Sequence, residues 1–170
     1  IDKNDGSLLN KALCSYNAGS IFKIITSAAA IQKGIDINHY CKGSLNVDGL
    51  DFSCHLISGH KDMNFKNAFA KSCNCYFYQL SQRLGGNEII DAAKKFGLSQ
   101  KLLDIPLNED RGFLPEKLQF SKRESANIAI GQGEILITPL QAAYIAAVIA
   151  NDGTGKPVNI ADSIVDADGN

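Results

Sequence analysis

Between Gly19 and Lys33 the chain is apolar on nearly every side of a helix: Ile21, Ile24, Ile25, Ala28 and Ile31 recur at helical spacing, Ser20 opens the run and Gly34 stops it. A helix without a broad polar face has to be enclosed, so this one is expected near the centre of a domain rather than on its surface. The chain has 170 residues, which suits one domain able to bury about two-thirds of its unfolded surface. Hydrophobic residues make up 45% and charged residues 21%, ordinary globular values that give no ground for disorder.

A net charge of -1 supplies no broad electropositive field, so nucleic acid is not an expected partner. The most apolar stretches, Ile21 to Ile31 and Leu140 to Ala150, fall short of the ~20 residues that span a bilayer, and no transmembrane helix is expected. The opening run Ile1-Asp2-Lys3-Asn4-Asp5-Gly6 reads as the interior of a longer protein, compatible with an anchor further upstream. The five cysteines, Cys14, Cys41, Cys54, Cys73 and Cys75, are an odd number and define no disulfide framework. Cys41 and Cys54 flank a hairpin and are a conceivable bridge; buried free thiols are the other reading, and the favoured one. No metal site is expected, because Cys73-x-Cys75 is tighter than the usual zinc pairs and His39, His55 and His60 form no ligand pattern with a second pair.

The clearest helix start is Thr138-Pro139-Leu140-Gln141, with Thr138 as cap, Pro139 at the first helical position and Gln141 reaching back. Leu140, Ala143, Tyr144, Ala147 and Val148 follow at helical spacing up to Asn151-Asp152-Gly153, and the alanines suggest close packing on another helix. Further helices are expected over Phe65 to Ala70 and Cys75 to Leu84, parted by Lys71-Ser72-Cys73-Asn74, and over Glu88 to Phe96 behind an Asn87 cap. Alternation around Asp48-Gly49 predicts a hairpin over Ser44 to Phe52. Gln100 to Glu116 reads as an irregular ordered loop, Val158 to Val165 as extended, and Asp166 to Asn170 as a turn.

The chemistry sits at the start of the first helix. A serine hydroxyl is a weak nucleophile until a base takes its proton, and a lysine three residues along a helix lies on the same face. Ser20-Ile21-Phe22-Lys23 has that spacing. The amine acts as base only when neutral, which requires burial or a nearby positive charge, and Ile21, Phe22, Ile24 and Ile25 suit such a pocket. Backbone N–H groups at the helix start add donors for a developing oxyanion.

Three segments carry a family resemblance. Ser15-Tyr16-Asn17-Ala18-Gly19-Ser20-Ile21-Phe22-Lys23 resembles the active-site segment of the high-molecular-weight (class B) penicillin-binding proteins, with Asn17-Ala18 in place of the usual prolines and Ile21 in place of a threonine. Ser72-Cys73-Asn74 resembles their Ser-x-Asn motif between two helices. Ile130-Gly131-Gln132-Gly133 followed by Thr138-Pro139-Leu140-Gln141 is similar to a run in the transpeptidases of that family, with an architectural role. Order and separations agree over roughly Leu9 to Gly153.

The resemblance implies a predominantly α chain, the helical subdomain of the α+β penicillin-binding/transpeptidase fold with short β-hairpins, and a single partial domain over 1–170. It implies a peptidoglycan D,D-transpeptidase in which Ser20 attacks D-Ala-D-Ala stem peptides or beta-lactams, Lys23 is the base, Ser72 relays a proton and Asn74 binds the substrate amide and orients Lys23. No cofactor is implied. The parent would be membrane-anchored on the extracytoplasmic face of a bacterial cell, among cell-wall synthesis proteins. The family's third motif, Lys-Thr/Ser-Gly, belongs some tens of residues beyond Val158 to Asp166; Thr154-Gly155-Lys156 has related residues in the wrong order. Without that strand the chain alone is expected to be weakly active or inactive. A class D beta-lactamase or beta-lactam sensor is a related alternative disfavoured by Asn74, since those proteins more often carry Ser-x-Val. A non-catalytic scaffold domain is the alternative from a different class.

Overall fold

The computed structural model describes residues 9–103 and 107–160. In chain order it comprises β1 (Tyr16–Asn17), α1 (Lys23–Gln32), β2 (His39–Cys41), β3 (Ser44–Val47), β4 (Leu50–Ser53), β5 (Lys61–Met63), α2 (Phe65–Ala70), α3 (Asn74–Leu84), α4 (Gly86–Lys95), α5 (Lys122–Ala129), β6 (Leu136–Ile137) and α6 (Pro139–Ala150). Short 3-10 turns over Lys11–Leu13 and Gly19–Phe22 precede β1 and α1. Helix accounts for 43% and strand for 14% of the described residues, consistent with a chain dominated by helix. The strands form three separate antiparallel two-stranded ribbons, β1–β6, β2–β5 and β3–β4.

The most enclosed helix is α3, not α1. Cys75, Tyr76, Phe77, Tyr78, Leu80, Ser81 and Leu84 of α3 are buried, and α1, α4, α5 and the β2, β3 and β4 strands pack around it. In α1 and its leading turn, Phe22, Ile25, Ala29 and Ala30 face this core, whereas Ile21 and Ile31 are 45% and 69% exposed. Apolar composition says how much of a helix can be buried; enclosure depends on which neighbours the topology supplies. For the same reason the inward stripe of α6 is Gln141, Ile145 and Val148, while Ala143 and Ala147 of the expected stripe are exposed.

Locally encoded features appear as read. Thr138 and Gln141 form a complete capping box at α6. Asp48 and Gly49 both take positive φ, 49° and 82°, the requirement of a type I′ turn, and pair Val47 with Leu50. The α4 start differs: Gly85, at φ 80°, turns the chain directly into a helix beginning at Gly86, and Asn87 donates instead to the Leu118 carbonyl at 3.0 Å. Helix α5 carries a complete Ser121/Glu124 capping box, a local signal absent from the reading above.

The Gln100 to Glu116 loop is irregular where described and is held by two buried side chains. Glu109 accepts from the Leu102 and Leu103 amides at 2.8 and 3.0 Å. Gln141 donates to the Gln100 and Arg111 carbonyls at 3.0 and 2.8 Å. Val158 bridges Leu103 in parallel, but Asn159 and Ile160 after it are irregular rather than extended; residues 161–165 of the expected run, the final turn and the opening six residues lie outside the described residues.

Two distant segments meet at the start of α1. Gly131 adopts φ 69°, and a Cβ there would lie 2.2 Å from the Gly19 carbonyl oxygen and 2.6 Å from the Phe22 Cβ. Backbone has to move to admit any side chain, so Gly131→Ala is expected to destabilise the protein by about 3 kcal/mol or more in chemical denaturation. Gly153→Ala, with φ 81° but open space around it, is expected to cost only about 1–2 kcal/mol; equal losses at the two positions would contradict this reading of the packing.

Candidate active site

Three elements deliver the site. The 3-10 turn Gly19–Phe22 presents Ser20 at the surface and passes into α1, so Lys23 follows one turn later with its side chain buried, 3% exposed. The turn is pinned from behind: Gly19 N–H donates to the Gly131 carbonyl at 2.9 Å, and the Thr26 hydroxyl donates to the Ala129 carbonyl at 2.9 Å. Asn17 donates to the Gly133 carbonyl at 3.3 Å. The Ile130 to Gly133 segment thus works as the bracket of the serine turn, while α6 packs further off against the Lys11–Leu13 turn.

The third element is the α2–α3 connection. Helix α2 ends in a Schellman motif: Ser72 N–H donates to the Phe69 carbonyl at 3.0 Å and Cys73 N–H to the Ala68 carbonyl at 2.9 Å. The residue after the cap must then be left-handed, and Ser72 takes that place with φ 50° where glycine is usual. A serine there costs roughly 1 kcal/mol of backbone strain. Its carbonyl and hydroxyl are both turned onto the lysine.

Lys23 Nζ lies 2.6 Å from Asn74 Oδ1, 2.8 Å from the Ser72 carbonyl oxygen, 2.8 Å from Ser72 Oγ and 3.2 Å from Ser20 Oγ. The Phe77 ring closes the pocket, its centroid 5.5 Å from the amine. All four residues singled out in the sequence, Ser20, Lys23, Ser72 and Asn74, therefore meet at one nitrogen. The Ser72 carbonyl and Phe77 were not anticipated; no sequence signal marks a backbone acceptor, and Phe77 reads simply as core.

Burial pushes the Lys23 amine down to about 8, and negative charge on the nearby Cys54 and Cys73 sulfurs, when they ionise, opposes that shift. Donor counting is compatible with the neutral form. A neutral amine has two N–H groups and one lone pair. The Ser72 carbonyl and Asn74 Oδ1 can only accept, so in that form they take the two N–H groups, leaving the lone pair for one of the two hydroxyls, Ser20 or Ser72, at a time. The one nitrogen stands within reach of both hydroxyls, 3.2 Å from Ser20 Oγ and 2.8 Å from Ser72 Oγ.

The whole described chain and its immediate ends match one family. Residues 2–170 match the model of the penicillin binding protein transpeptidase domain. Penicillin-binding protein PbpB of Mycolicibacterium smegmatis is 34% identical over 158 residues, covering 91% of this chain and 24% of that protein. Stage V sporulation protein D of Bacillus subtilis is 33% identical over 170 residues, 95% of this chain and 26% of that protein. Penicillin-binding protein 3 of Mycobacterium tuberculosis, solved with aztreonam, superposes with a TM-score of 0.81 at 33% identity, over 95% of this chain and 37% of that one. Penicillin-binding protein A of the same organism, solved as a ceftriaxone acyl-enzyme, gives 0.80 at 29% identity over 91% of this chain and 36% of that one. The chain belongs to the penicillin-binding protein transpeptidase domain family. It spans about a quarter of the length of these curated relatives.

Hydrogen-bond acceptors favour the ammonium form, so deleting one lowers the amine pKa further. Asn74→Ala is accordingly expected to move Lys23 below about 8, read by NMR titration of the labelled lysine side chain; an upward shift would show that Asn74 does not hold the amine.

Proposed function

We propose that this chain forms the serine–lysine half of a peptidoglycan D,D-transpeptidase, corresponding to the helical part of an α+β transpeptidase domain. The observation that carries the reading is Lys23 Nζ within 3.2 Å of Ser20 Oγ, Ser72 Oγ and Asn74 Oδ1 at once. Relatives named peptidoglycan D,D-transpeptidase, such as PbpA of Mycolicibacterium smegmatis at 31% identity, support it.

In the proposed reaction the neutral Lys23 amine takes the Ser20 proton as Oγ attacks the penultimate D-Ala carbonyl of a stem peptide. The proton then passes by Ser72 to the departing D-Ala amine, and an acyl-Ser20 ester remains. An acceptor amine attacks that ester, its proton returns through Lys23, and Ser20 regains its hydrogen. Asn74 holds the lysine and offers its amide N–H to the substrate. A beta-lactam enters the same path at Ser20, but its amine stays tethered in the opened ring.

The second wall of the cleft, with the Lys-Thr/Ser-Gly strand, is assigned to the parent protein beyond this chain. The partners that follow are stem peptides, beta-lactams and cell-wall synthesis proteins, and the location is the extracytoplasmic face of the membrane. Among the described residues no helix is long and apolar enough to cross a bilayer.

Fluorescent penicillin is expected to label the full-length protein at Ser20, and Ser20→Ala to abolish the label; undiminished labelling of that variant would leave a scaffold or another nucleophile as the explanation. Lys23→Ala should slow acylation by about 10²–10⁴-fold. Ser72→Gly suits the left-handed turn and should keep stability within ~1 kcal/mol while slowing acylation. Because the neutral amine is the active form, the acylation rate should climb about tenfold per pH unit below about 8 and level off above it. A flat profile from pH 6 to 9 would remove Lys23 from the role of base.

A further inference from the structure

Beside the catalytic turn the fold gathers side chains that the proposed reaction does not use. The donor atoms of Cys41, Cys54, His60 and Cys73 all lie within 4.8 Å of one another. We propose that these four residues bind a zinc ion, a closed Cys3His centre that fastens the Ser72-Cys73-Asn74 turn to the neighbouring β-ribbons.

Geometry carries the assignment. Tetrahedral zinc with Zn–S near 2.3 Å and Zn–N near 2.0–2.1 Å sets its ligand sulfurs ~3.8 Å apart and sulfur and nitrogen ~3.6 Å apart. Here Cys41 Sγ and Cys54 Sγ stand 3.8 and 3.5 Å from His60 Nδ1. Two sulfur–nitrogen edges therefore already match a coordination tetrahedron, and no other donor pair is more than 4.8 Å apart. Three thiolates and one imidazole are a soft donor set of the kind that fills structural zinc sites, with no position left open for water.

Packing alone explains less of this cluster. A lone buried thiol behaves as a small hydrophobe, and Cys41 and Cys73 are fully buried with Cys54 4% exposed. Three thiols converging on an imidazole nitrogen is different, because sulfur is a poor hydrogen-bond partner for that nitrogen. A disulfide would engage two sulfurs and strand the third beside the imidazole; all five cysteines are free.

The backbone is shaped for the convergence. A Cβ on Gly59 would lie 2.1 Å from the Cys41 carbonyl oxygen, and one on Gly43 would lie 1.9 Å from that of Ile57. Two glycines with φ 75° and 100° thus let the 54–60 loop press onto residues 41–43, and Cys54 N–H donates to the Gly43 carbonyl at 2.7 Å. Each ligand comes from a different piece: the end of β2, the exit of β4, the entry to β5 and the α2–α3 turn. Two-stranded ribbons of three or four residues are marginal by themselves, and one ion would crosslink both of them to the helical core. The separations, Cys41-x12-Cys54-x5-His60-x12-Cys73, contain no close Cys pair, which is why spacing gave no zinc signal.

Binding is a proton exchange without redox change: three thiols release three protons to solvent, zinc forms three Zn–S bonds and one Zn–N bond, and the centre carries a net charge of -1. Full-length protein purified without chelator or metal-affinity tag is expected to hold about one zinc per chain by elemental analysis. Cobalt substitution should give the intense absorption of a tetrahedral cobalt–thiolate centre. Cys41→Ser, Cys54→Ser and His60→Ala should each weaken zinc retention against a chelator by roughly tenfold or more, while Cys14→Ser and His55→Ala retain it. Zinc-free protein after growth in added zinc, an octahedral cobalt spectrum, or a native disulfide among Cys41, Cys54 and Cys73 would each overturn the proposal, and the unsubstituted protein alone decides this even if a variant fails to fold. Metal content and penicillin labelling are independent readouts, so loss of either leaves the other reading standing.

Discussion

An amine that is 3% exposed loses the water that normally stabilises its charge, and the structure around Lys23 is organised by that loss. Four oxygens stand within 3.2 Å of Nζ, supplied by two hydroxyls, a side-chain amide and a backbone carbonyl. None carries a formal charge, so nothing at first contact restores a strong preference for the ammonium. A carboxylate in place of Asn74 would favour the charged form and hold the proton on nitrogen. The uncharged amide keeps the lysine in place while leaving its lone pair available.

That arrangement depends on backbone features with no catalytic chemistry of their own. Ser72 has to be left-handed to aim both its carbonyl and its hydroxyl at the amine, and the strain of placing a serine there is absorbed by the Schellman bonds to Ala68 and Phe69. Ser20 is held through Gly19, whose amide is bound to Gly131 at a contact only a glycine permits. Tyr76, Phe77 and Leu80 of α3 are fully buried in the core on which α1 packs, so both halves of the site rest on the same packed helix.

Much of this was legible in the residues wherever the signal is local. Thr138 and Gln141 announce their capping box, Asp48-Gly49 its turn, and Ser20 with Lys23 their shared face, because each depends on neighbours a few positions away. Ser121 and Glu124 carry an equally local signal for α5 that the apolar pattern did not prompt. Asn87 misled because Gly85, by turning left-handed, started α4 two residues early. The central position of α3, the contact of Gly131 with Gly19 and the meeting of Cys41, Cys54, His60 and Cys73 depend on tertiary closure, for which a single sequence has no period.

The bracket around Ser20 also has a kinetic side. Thr26 reaches a partner 103 positions away and Asn17 one 116 positions away, whereas the lysine's partners on the α2–α3 connection are 49 to 51 positions distant. Closing longer loops carries a larger entropic penalty and contributes to slower folding. Lys23 and its acceptors can therefore come together before Ser20 is locked beside them. The difference is small, about 0.6 kcal/mol of closure entropy for each doubling of loop length, and it runs in favour of the lysine pocket over the bracket around Ser20.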